Sequence, residues 1–226
     1  MKTQFILVIF ASYFISKSFI PFFKKYFLVL PNHRSSHIFP KPQGGGFIFA
    51  SIGVFSSLMI SNIIPLIAFP LSVIGLVDDK FKLSNLLRYF CQTLTVFVLL
   101  YFNLFNKILL IENNFLEVTL IIMLIIFGTA IINFVNFMDG IDGLIISNFS
   151  LIFLIISILY QPNFLLLAAS LIGFIPLNWY PSKIFMGDVG STFLGAIYVG
   201  SIFNGNNIFE SIDILIISFP LFADAI

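Results

Sequence analysis

The sequence is poor in charge and in cysteine. Only 9% of its 226 residues are charged, against about 25% in a typical soluble domain. Such a chain has too little polar surface to cover a water-soluble fold, so the composition excludes a soluble enzyme and a disordered tail. Cys91 is the only cysteine, which excludes an intrachain disulfide and a secreted disulfide scaffold. A net charge of +1 provides no electrostatic footprint for nucleic acid.

Apolar residues make up 59% of the chain, and Phe occurs 31 times. The apolar runs are continuous, as over 145–171, and do not alternate with polar residues as the strands of an outer-membrane barrel do. A helix of roughly 20 apolar residues spans the hydrocarbon of a bilayer. We therefore predict an all-α, polytopic integral membrane protein with about nine transmembrane helices, and we treat residues 1–226 as a single domain.

The region 46–77 decides the topology. It carries no charge, but Asn62 and Pro65 interrupt it. Lys and Arg lie on both of its flanks, and these residues concentrate on the cytoplasmic side. Both flanks are cytoplasmic only if the region crosses the membrane an even number of times, so we predict two helices broken near 62–65. The other predicted spans cover 4–23, 86–105, 115–133, 144–160, 164–179, 191–203 and 212–226.

Most of the acidic residues fall at or near one predicted membrane face. Ionisable groups at membrane depth are costly and indicate a functional site. Adjacent carboxylates repel each other unless they share a cation or a proton, and Mg²⁺ prefers oxygen ligands. Lys and Arg also concentrate at this face, and these residues are in excess in cytoplasmic loops, so we predict that the face is cytoplasmic. The six acids are Asp78, Asp79, Asp139, Asp142, Asp188 and Asp224.

Two motifs place some of these acids in a defined local context. Over 133–144, Asn133, Asn136, Asp139 and Asp142 recur every three residues. A straight helix rotates this series by about 60° per step, but a glycine after each acid indicates that the helix ends, which lets the four side chains converge. Asp188 lies in a Gly-Asp-x-Gly-Ser turn that opens a helix. Helix N-termini bind phosphate, although simple N-capping also explains an acid there.

The loop over 31–46 supplies cations and glycines. Its His33, Arg34, His37 and Lys41 have the chemistry to contact phosphate, and an ordinary positive-inside loop explains them equally well. Basic loop, acids, amides and phosphate-binding turn all fall on one predicted face. Such a face suits a multiply anionic, metal-bound substrate, and a nucleotide diphosphate that meets a lipid phosphate fits this description.

The motifs RSSHIFPKPQGGG, GLVDDKFKLS, NFVNFMDGIDGL, KIFMGDVGSTFLG and FPLFADAI follow one another along the chain. In this order they resemble the polyprenyl-phosphate N-acetylhexosamine-1-phosphate transferases of glycosyltransferase family 4, and especially their O-antigen branch. The resemblance implies transfer of HexNAc-1-phosphate from UDP-N-acetylhexosamine to undecaprenyl phosphate with release of UMP. That reaction starts a lipid-linked envelope glycan, such as O-antigen or teichoic acid. It also implies a multi-pass protein of the bacterial inner membrane with a cytoplasmic active site.

The resemblance further implies Mg²⁺ as cofactor, with Mn²⁺ as an alternative, and it leaves a homodimer open. Asp188 and Asp79 look like metal ligands. Asp78 and Asp79 together look like the acidic pair that activates the lipid phosphate. Further polar residues look like substrate contacts. The implied catalytic residues are Asp78, Asp79, Lys82 and Asp142, and the implied substrate-binding residues are Asn133, Asn136, Asp139, Asn178, Phe185, Arg34 and His37.

Several alternatives stay open at this point. Family members continue past the position of Ile226, so we expect the chain to be C-terminally incomplete, and an inactive fragment of such an enzyme is one alternative. A non-enzymatic transporter or lipid-binding protein is another, because broken helices with polar groups also suit transporters. Within the enzyme hypothesis, direct attack by the lipid phosphate and a two-step route through an aspartyl-phosphate are both compatible with the sequence.

Overall fold

The computed structural model describes residues 1–31, 39–104, 108 and 114–223. Over these ranges the chain is all-α, as predicted, apart from a short antiparallel ribbon of Leu28–Val29 (β1) and Lys41–Pro42 (β2). A 3-10 turn at Pro162–Phe164 precedes the seventh helix. The helices are α1 (Lys2–Tyr26), α2 (Gly46–Leu58), α3 (Ile64–Phe81), α4 (Asn85–Asn103), α5 (Asn114–Met138), α6 (Leu144–Leu159), α7 (Leu165–Asn178), α8 (Gly187–Phe203) and α9 (Ile208–Ala223).

Three helices, α1, α4 and α5, are long and apolar enough to cross a membrane by length and composition. Their large apolar side chains point outward, and Phe14, Phe90 and Met123 are 56%, 62% and 61% exposed. Contiguous apolar surface of this kind is unfavourable in water and suits contact with lipid. These features support a membrane protein, whereas the prediction of nine spans goes beyond these three helices and stays a prediction.

Region 46–77 folds as two helices, as the charge distribution predicts. Ser61 adopts a positive φ of 58° between them, and Pro65 lies in the first turn of α3, where its missing N–H is not needed. Asn62 stabilises the turn, because its Oδ1 accepts a hydrogen bond from the Ile64 N–H at 3.1 Å. Its Nδ2 also donates to the Asn163 carbonyl at 3.0 Å, which ties this turn to the α6–α7 connection.

The central helix of the bundle is α8, which packs against α2, α3, α4, α5 and α9. Every residue of α8 is buried except Asp188. Glycines allow α2 and α3 to approach its backbone closely. A Cβ added to Gly46 would lie 2.5 Å from Gly190 Cα, and one added to Gly75 would lie 2.5 Å from the Val189 nitrogen. The start of α2, the end of α3 and the start of α8 therefore lie together at one end of the bundle.

Polar side chains tie together the connections at the other end. Gln161 Nε2 donates hydrogen bonds of 3.0 Å to the Ser201 carbonyl and to Glu210 Oε1. Asn204 Nδ2 donates to Gln161 Oε1 at 3.1 Å. Because each of these buried groups needs a partner, the network holds the α6–α7 and α8–α9 turns together.

Candidate active site

Helix ends bring four of the predicted acids to the same end of the bundle. Asp78 and Asp79 lie in the last turn of α3, Asp139 follows the end of α5, and Asp188 lies in the first turn of α8. The close packing of α3 on α8 brings the two motifs into direct contact, since the Asp188 N–H donates to Asp79 Oδ1 at 3.2 Å. The predicted grouping of Asp78, Asp79 and Asp188 is therefore present in the structure.

Arg88 of α4 bridges two of these acids. Its Nη1 lies 3.2 Å from Asp78 Oδ2, and its Nη2 lies 3.1 Å from Asp188 Oδ2. Ser84 fixes the start of α4 by accepting a hydrogen bond from the Leu87 N–H, which places Arg88 in the first turn. Arg88 enters the sequence prediction only as one of the basic residues that flank region 46–77, although an arginine that closely follows an acidic pair is a signal for such a contact.

Asp79 has one satisfied and one orphaned carboxylate oxygen. Oδ1 accepts hydrogen bonds from Gln43 Nε2 at 2.5 Å and from the Asp188 N–H. Oδ2 is buried without a hydrogen-bond partner in the described part of the chain. Gly187, at a φ of +72°, lies against this oxygen, and a Cβ there would collide with it. Burying an unsatisfied carboxylate oxygen is costly, so the arrangement suits a cation that contacts Oδ2.

The residues fit Mg²⁺ in one particular way. The described residues contain no group of three or more His, Cys, Asp or Glu placed to hold a metal ion. Mg²⁺ at phosphate-binding sites is commonly held by one or two carboxylates together with waters and substrate phosphates. Asp79 and Asp188 supply two carboxylates whose charges interact, and Asp79 Oδ2 has no hydrogen-bond donor among the described residues. The site thus fits a Mg²⁺ ion whose remaining ligands come from substrate and water.

The polar side chains of 133–144, predicted to converge, contact different parts of the bundle. Asn136 Nδ2 donates to Ser191 Oγ of α8 at 3.0 Å, and Ser191 lies three residues after Asp188 in the same helix. Asn133 faces α4, where its Nδ2 donates to Gln92 Oε1 at 2.8 Å. The reason is that α5 stays helical to Met138, so the rotation of about 60° per step separates the two asparagines. Asn136 thus lies at the acids, and Asn133 lies beside them.

Asp142 joins a separate network with the β2 loop. Lys41 Nζ lies 3.1 Å from Asp142 Oδ2 and donates to Ser182 Oγ at 2.8 Å. The Ser182 N–H donates to the same carboxylate oxygen at 3.0 Å, and Lys41 Nζ also lies 5.0 Å from the centre of the Phe185 ring. These contacts place Asp142 in a positioning role, while its predicted catalytic role stays a prediction.

The two aspartates of the α5–α6 turn have opposite electrostatics. Burial, followed by repulsion from Asp188, Asp79 and Asp142, raises the pKa of Asp139 well above its ordinary value. Partial burial also raises the pKa of Asp142, but hydrogen bonds from Ser182 and Lys41 outweigh it and lower the pKa overall. Asp139 is therefore the group in this turn whose charge depends on a nearby cation.

Asn178 and Phe185, two of the predicted substrate-binding residues, brace the loop that precedes α8. Asn178 is buried, and its Nδ2 donates to the Ile184 carbonyl at 3.0 Å. The Phe185 N–H donates to the Pro42 carbonyl at 2.8 Å, and its carbonyl accepts from the Gly45 N–H at 3.0 Å. The loops over 41–46 and 179–186 thus form one unit, with the Phe185 ring beside Lys41.

The remaining predicted residues lie at the margin of the site or outside the described ranges. Lys82 follows α3 directly and is exposed, and its charge interacts with Asp79. His33, Arg34, His37 and Asp224 lie outside the described residues. Gln43 and Lys41, from the loop over 31–46, make site contacts that the sequence does not predict, as does Arg88.

The part of the chain that holds this site is similar to known proteins. Residues 45–206 match the model of glycosyl transferase family 4. The chain is 30% identical over 211 residues to a probable undecaprenyl-phosphate N-acetylglucosaminyl 1-phosphate transferase of Bacillus subtilis (strain 168), covering 84% of this chain and 58% of that protein. It is 32% identical over 192 residues to the undecaprenyl-phosphate alpha-N-acetylglucosaminyl 1-phosphate transferase of Thermotoga maritima, covering 82% and 60%.

A third relative is a decaprenyl-phosphate N-acetylglucosaminephosphotransferase of Mycolicibacterium smegmatis, with 28% identity over 203 residues, 73% of this chain and 50% of that protein. The chain thus spans between half and three fifths of the length of these relatives. The family match covers more than half of the chain and includes Asp78, Asp79, Asp139 and Asp188. The chain belongs to glycosyl transferase family 4, the family that its motifs predict.

Proposed function

We propose that this chain carries the active face of an enzyme that transfers HexNAc-1-phosphate from UDP-HexNAc to undecaprenyl phosphate. The observation that carries the proposal is the cluster of Asp78, Asp79, Asp188 and Arg88 at one end of an apolar bundle, with Asp79 Oδ2 orphaned. Neighbouring carboxylates, one of them with an oxygen free to bind a metal ion, suit a substrate whose diphosphate carries that ion. The names of the relatives, which specify N-acetylglucosaminyl 1-phosphate transfer to a polyprenyl phosphate, support the same reaction.

A groove between α4 and α5 supports a lipid acceptor. It has a volume of about 590 Å³, and most of its lining is apolar, including Tyr89, Ile126 and Phe137. Asn133 also lines it and is polar. Tyr89 lies in the same first turns of α4 as Arg88, so the groove begins at the end of the bundle that carries the acids. We propose that the first isoprene units lie in this groove while the lipid phosphate reaches the acidic cluster.

The proposed chemistry is a direct displacement. A lipid phosphate oxygen forms a bond to the β-phosphorus of the UDP-sugar, the bond from that phosphorus to the α-phosphate breaks, and UMP leaves. When bound by Asp79 and Asp188, Mg²⁺ supplies charge neutralisation for the phosphate oxygens. Lys82 adds positive charge near Asp79, while Asn136 braces the start of α8 through its hydrogen bond to Ser191. The loop unit around Phe185 forms the wall against which the uridine is held.

We further propose that the donor is a cytosolic UDP-N-acetylhexosamine and that the site faces the cytoplasm of a bacterial inner membrane. The concentration of Lys and Arg next to these helix ends supports this orientation. The product would be the first lipid-linked intermediate of an envelope glycan, of the O-antigen or teichoic acid type. UDP-N-acetylglucosamine is the first donor to test, because the names of the relatives above specify transfer of an N-acetylglucosamine phosphate.

UMP release from membranes that contain the full-length protein tests this function. With Mg²⁺, undecaprenyl phosphate and UDP-N-acetylglucosamine, we expect UMP release that Asp188→Asn slows by more than ~100-fold, the scale of losing a strong electrostatic contributor. Asp213→Asn is the matched control, because Asp213 accepts a hydrogen bond from Tyr160 at the far end of the bundle. Equal rates in Asp188→Asn and wild type would refute the assignment, and uptake of intact donor without UMP release would favour a transporter.

A further inference from the structure

Arg88 holds two carboxylates that belong to the proposed metal site. Its guanidinium contacts Asp78 Oδ2 at 3.2 Å and Asp188 Oδ2 at 3.1 Å. The Asp78 side chain is only 5% exposed, so its charge needs a cation close by, and a fork-shaped guanidinium meets two acids from different helices well. Arg88 therefore already occupies the position in which a divalent cation would compensate the same charge.

We propose that Arg88 is a resident counter-ion that competes with the metal ion for Asp188. This inference rests on the proposed function, because it assumes that Asp188 binds a divalent cation. A +1 guanidinium 3.1 Å from Asp188 Oδ2 and a +2 ion bound to the same carboxylate repel each other strongly at this range. Loading the metal therefore requires Arg88 to leave Asp188.

The displaced side chain has a substrate to bind. Arg88 is 29% exposed and lies in the first turn of α4, so its flexible stem can rotate without a change in the helix. Arginine binds phosphate oxygens in a two-point geometry. Release from Asp188 therefore makes Arg88 available to a phosphate at the moment the metal enters. This exchange couples metal binding to substrate binding. Until the metal binds, Arg88 neutralises the charge of Asp78 and Asp188.

Binding of Mn²⁺ alone to the purified protein, measured by electron paramagnetic resonance without nucleotide, tests the competition. We expect Arg88→Gln to bind Mn²⁺ roughly tenfold tighter than wild type or more, because a nearby positive charge is removed. Arg88→Lys keeps the charge and should bind close to wild type. Lys80→Gln is the matched control, because Lys80 lies over the rings of Phe27 and Phe81 and not against the acids.

The outcomes separate the inference from the proposed function. If Asp188→Asn does not weaken Mn²⁺ binding, the metal role of Asp188 fails. If binding depends on Asp188 but Arg88→Gln binds no tighter than wild type, the competition is refuted. Should Arg88→Gln not fold, the Nε resonance of Arg88 in wild type decides. The chain has only two arginines, so Arg34→Lys identifies that signal, and it should shift as Mg²⁺ binds. An unchanged resonance at saturating Mg²⁺ would contradict the competition.

Discussion

Replacing Gly75 with alanine should separate α3 from α8 and disrupt the site. A Cβ at this position would lie 2.5 Å from the Val189 nitrogen and 2.7 Å from the Asp188 carbonyl carbon. Both atoms belong to the backbone of α8, so no side chain can rotate to relieve the contact. Overpacking of this kind costs roughly 1–3 kcal/mol. In a helix Ala is otherwise favoured over Gly by up to about 1 kcal/mol, so the two effects oppose each other.

Because the clash is with backbone, we expect a cost in the upper part of that range, about 2–3 kcal/mol. Set against a gain in helix propensity of about 1 kcal/mol, this leaves a net loss of about 1–2 kcal/mol. Thermal unfolding in detergent should show a midpoint lowered by several degrees, on the order of 2–4 °C per kcal/mol for a chain of this size. Mn²⁺ binding should weaken as well, because Asp79 and Asp188 would move apart. Gly140→Ala is the control, since nothing lies within 4 Å of a Cβ there. An unchanged midpoint together with unchanged Mn²⁺ affinity in Gly75→Ala would refute the close-packing argument.

Three further predictions concern the loops around the site. Lys41→Met should raise the KM for the UDP-sugar several-fold more than it lowers kcat, because the Lys41 contacts hold the loop that carries Phe185. Steady-state kinetics measure both constants, and a change confined to kcat would contradict this role. Mn²⁺ affinity should fall as the pH drops through the raised pKa of Asp139, because protonation removes a negative charge from the site. Asp139→Asn should show a smaller fall in a pH series and not lose it, since burial raises the pKa of Asp79 as well. In a Cys91→Ser background, Gly140→Cys should react with an impermeant thiol reagent from the cytoplasmic side, and labelling from outside would invert the proposed topology.

The positions of the helix breaks were predictable because they follow from charge and local chemistry. Basic residues on both flanks of 46–77 require an even number of crossings, and Pro65 is acceptable in a first helical turn. The grouping of Asp78, Asp79 and Asp188 was predictable for a similar reason. These acids lie at the ends of apolar segments, and segment ends meet at a membrane face whatever the rotation of each helix.

The individual contacts depend on helix rotation and close packing, which the sequence does not display. Arg88 reaches Asp188 because α4 and α3 both pack on α8, and that arrangement depends on glycine contacts between distant segments. The same reasoning explains Asn133, which faces α4 because α5 continues as a helix beyond it. Lys41 was assigned to a general basic loop, whereas its pairing with Asp142 needs the ribbon and the α5–α6 turn to meet in space.

The fate of the β-phosphate of the donor tests the central claim most directly. Purified full-length protein in lipid-containing micelles would be supplied with undecaprenyl phosphate, Mg²⁺ and UDP-N-acetylglucosamine labelled with ³²P at the β-phosphate. Transfer of HexNAc-1-phosphate predicts that the label moves into the lipid in a 1:1 ratio with UMP released, and that Asp188→Asn abolishes both. Label that remains in solution as UDP while the sugar reaches the lipid would show transfer of the sugar alone and would contradict the account.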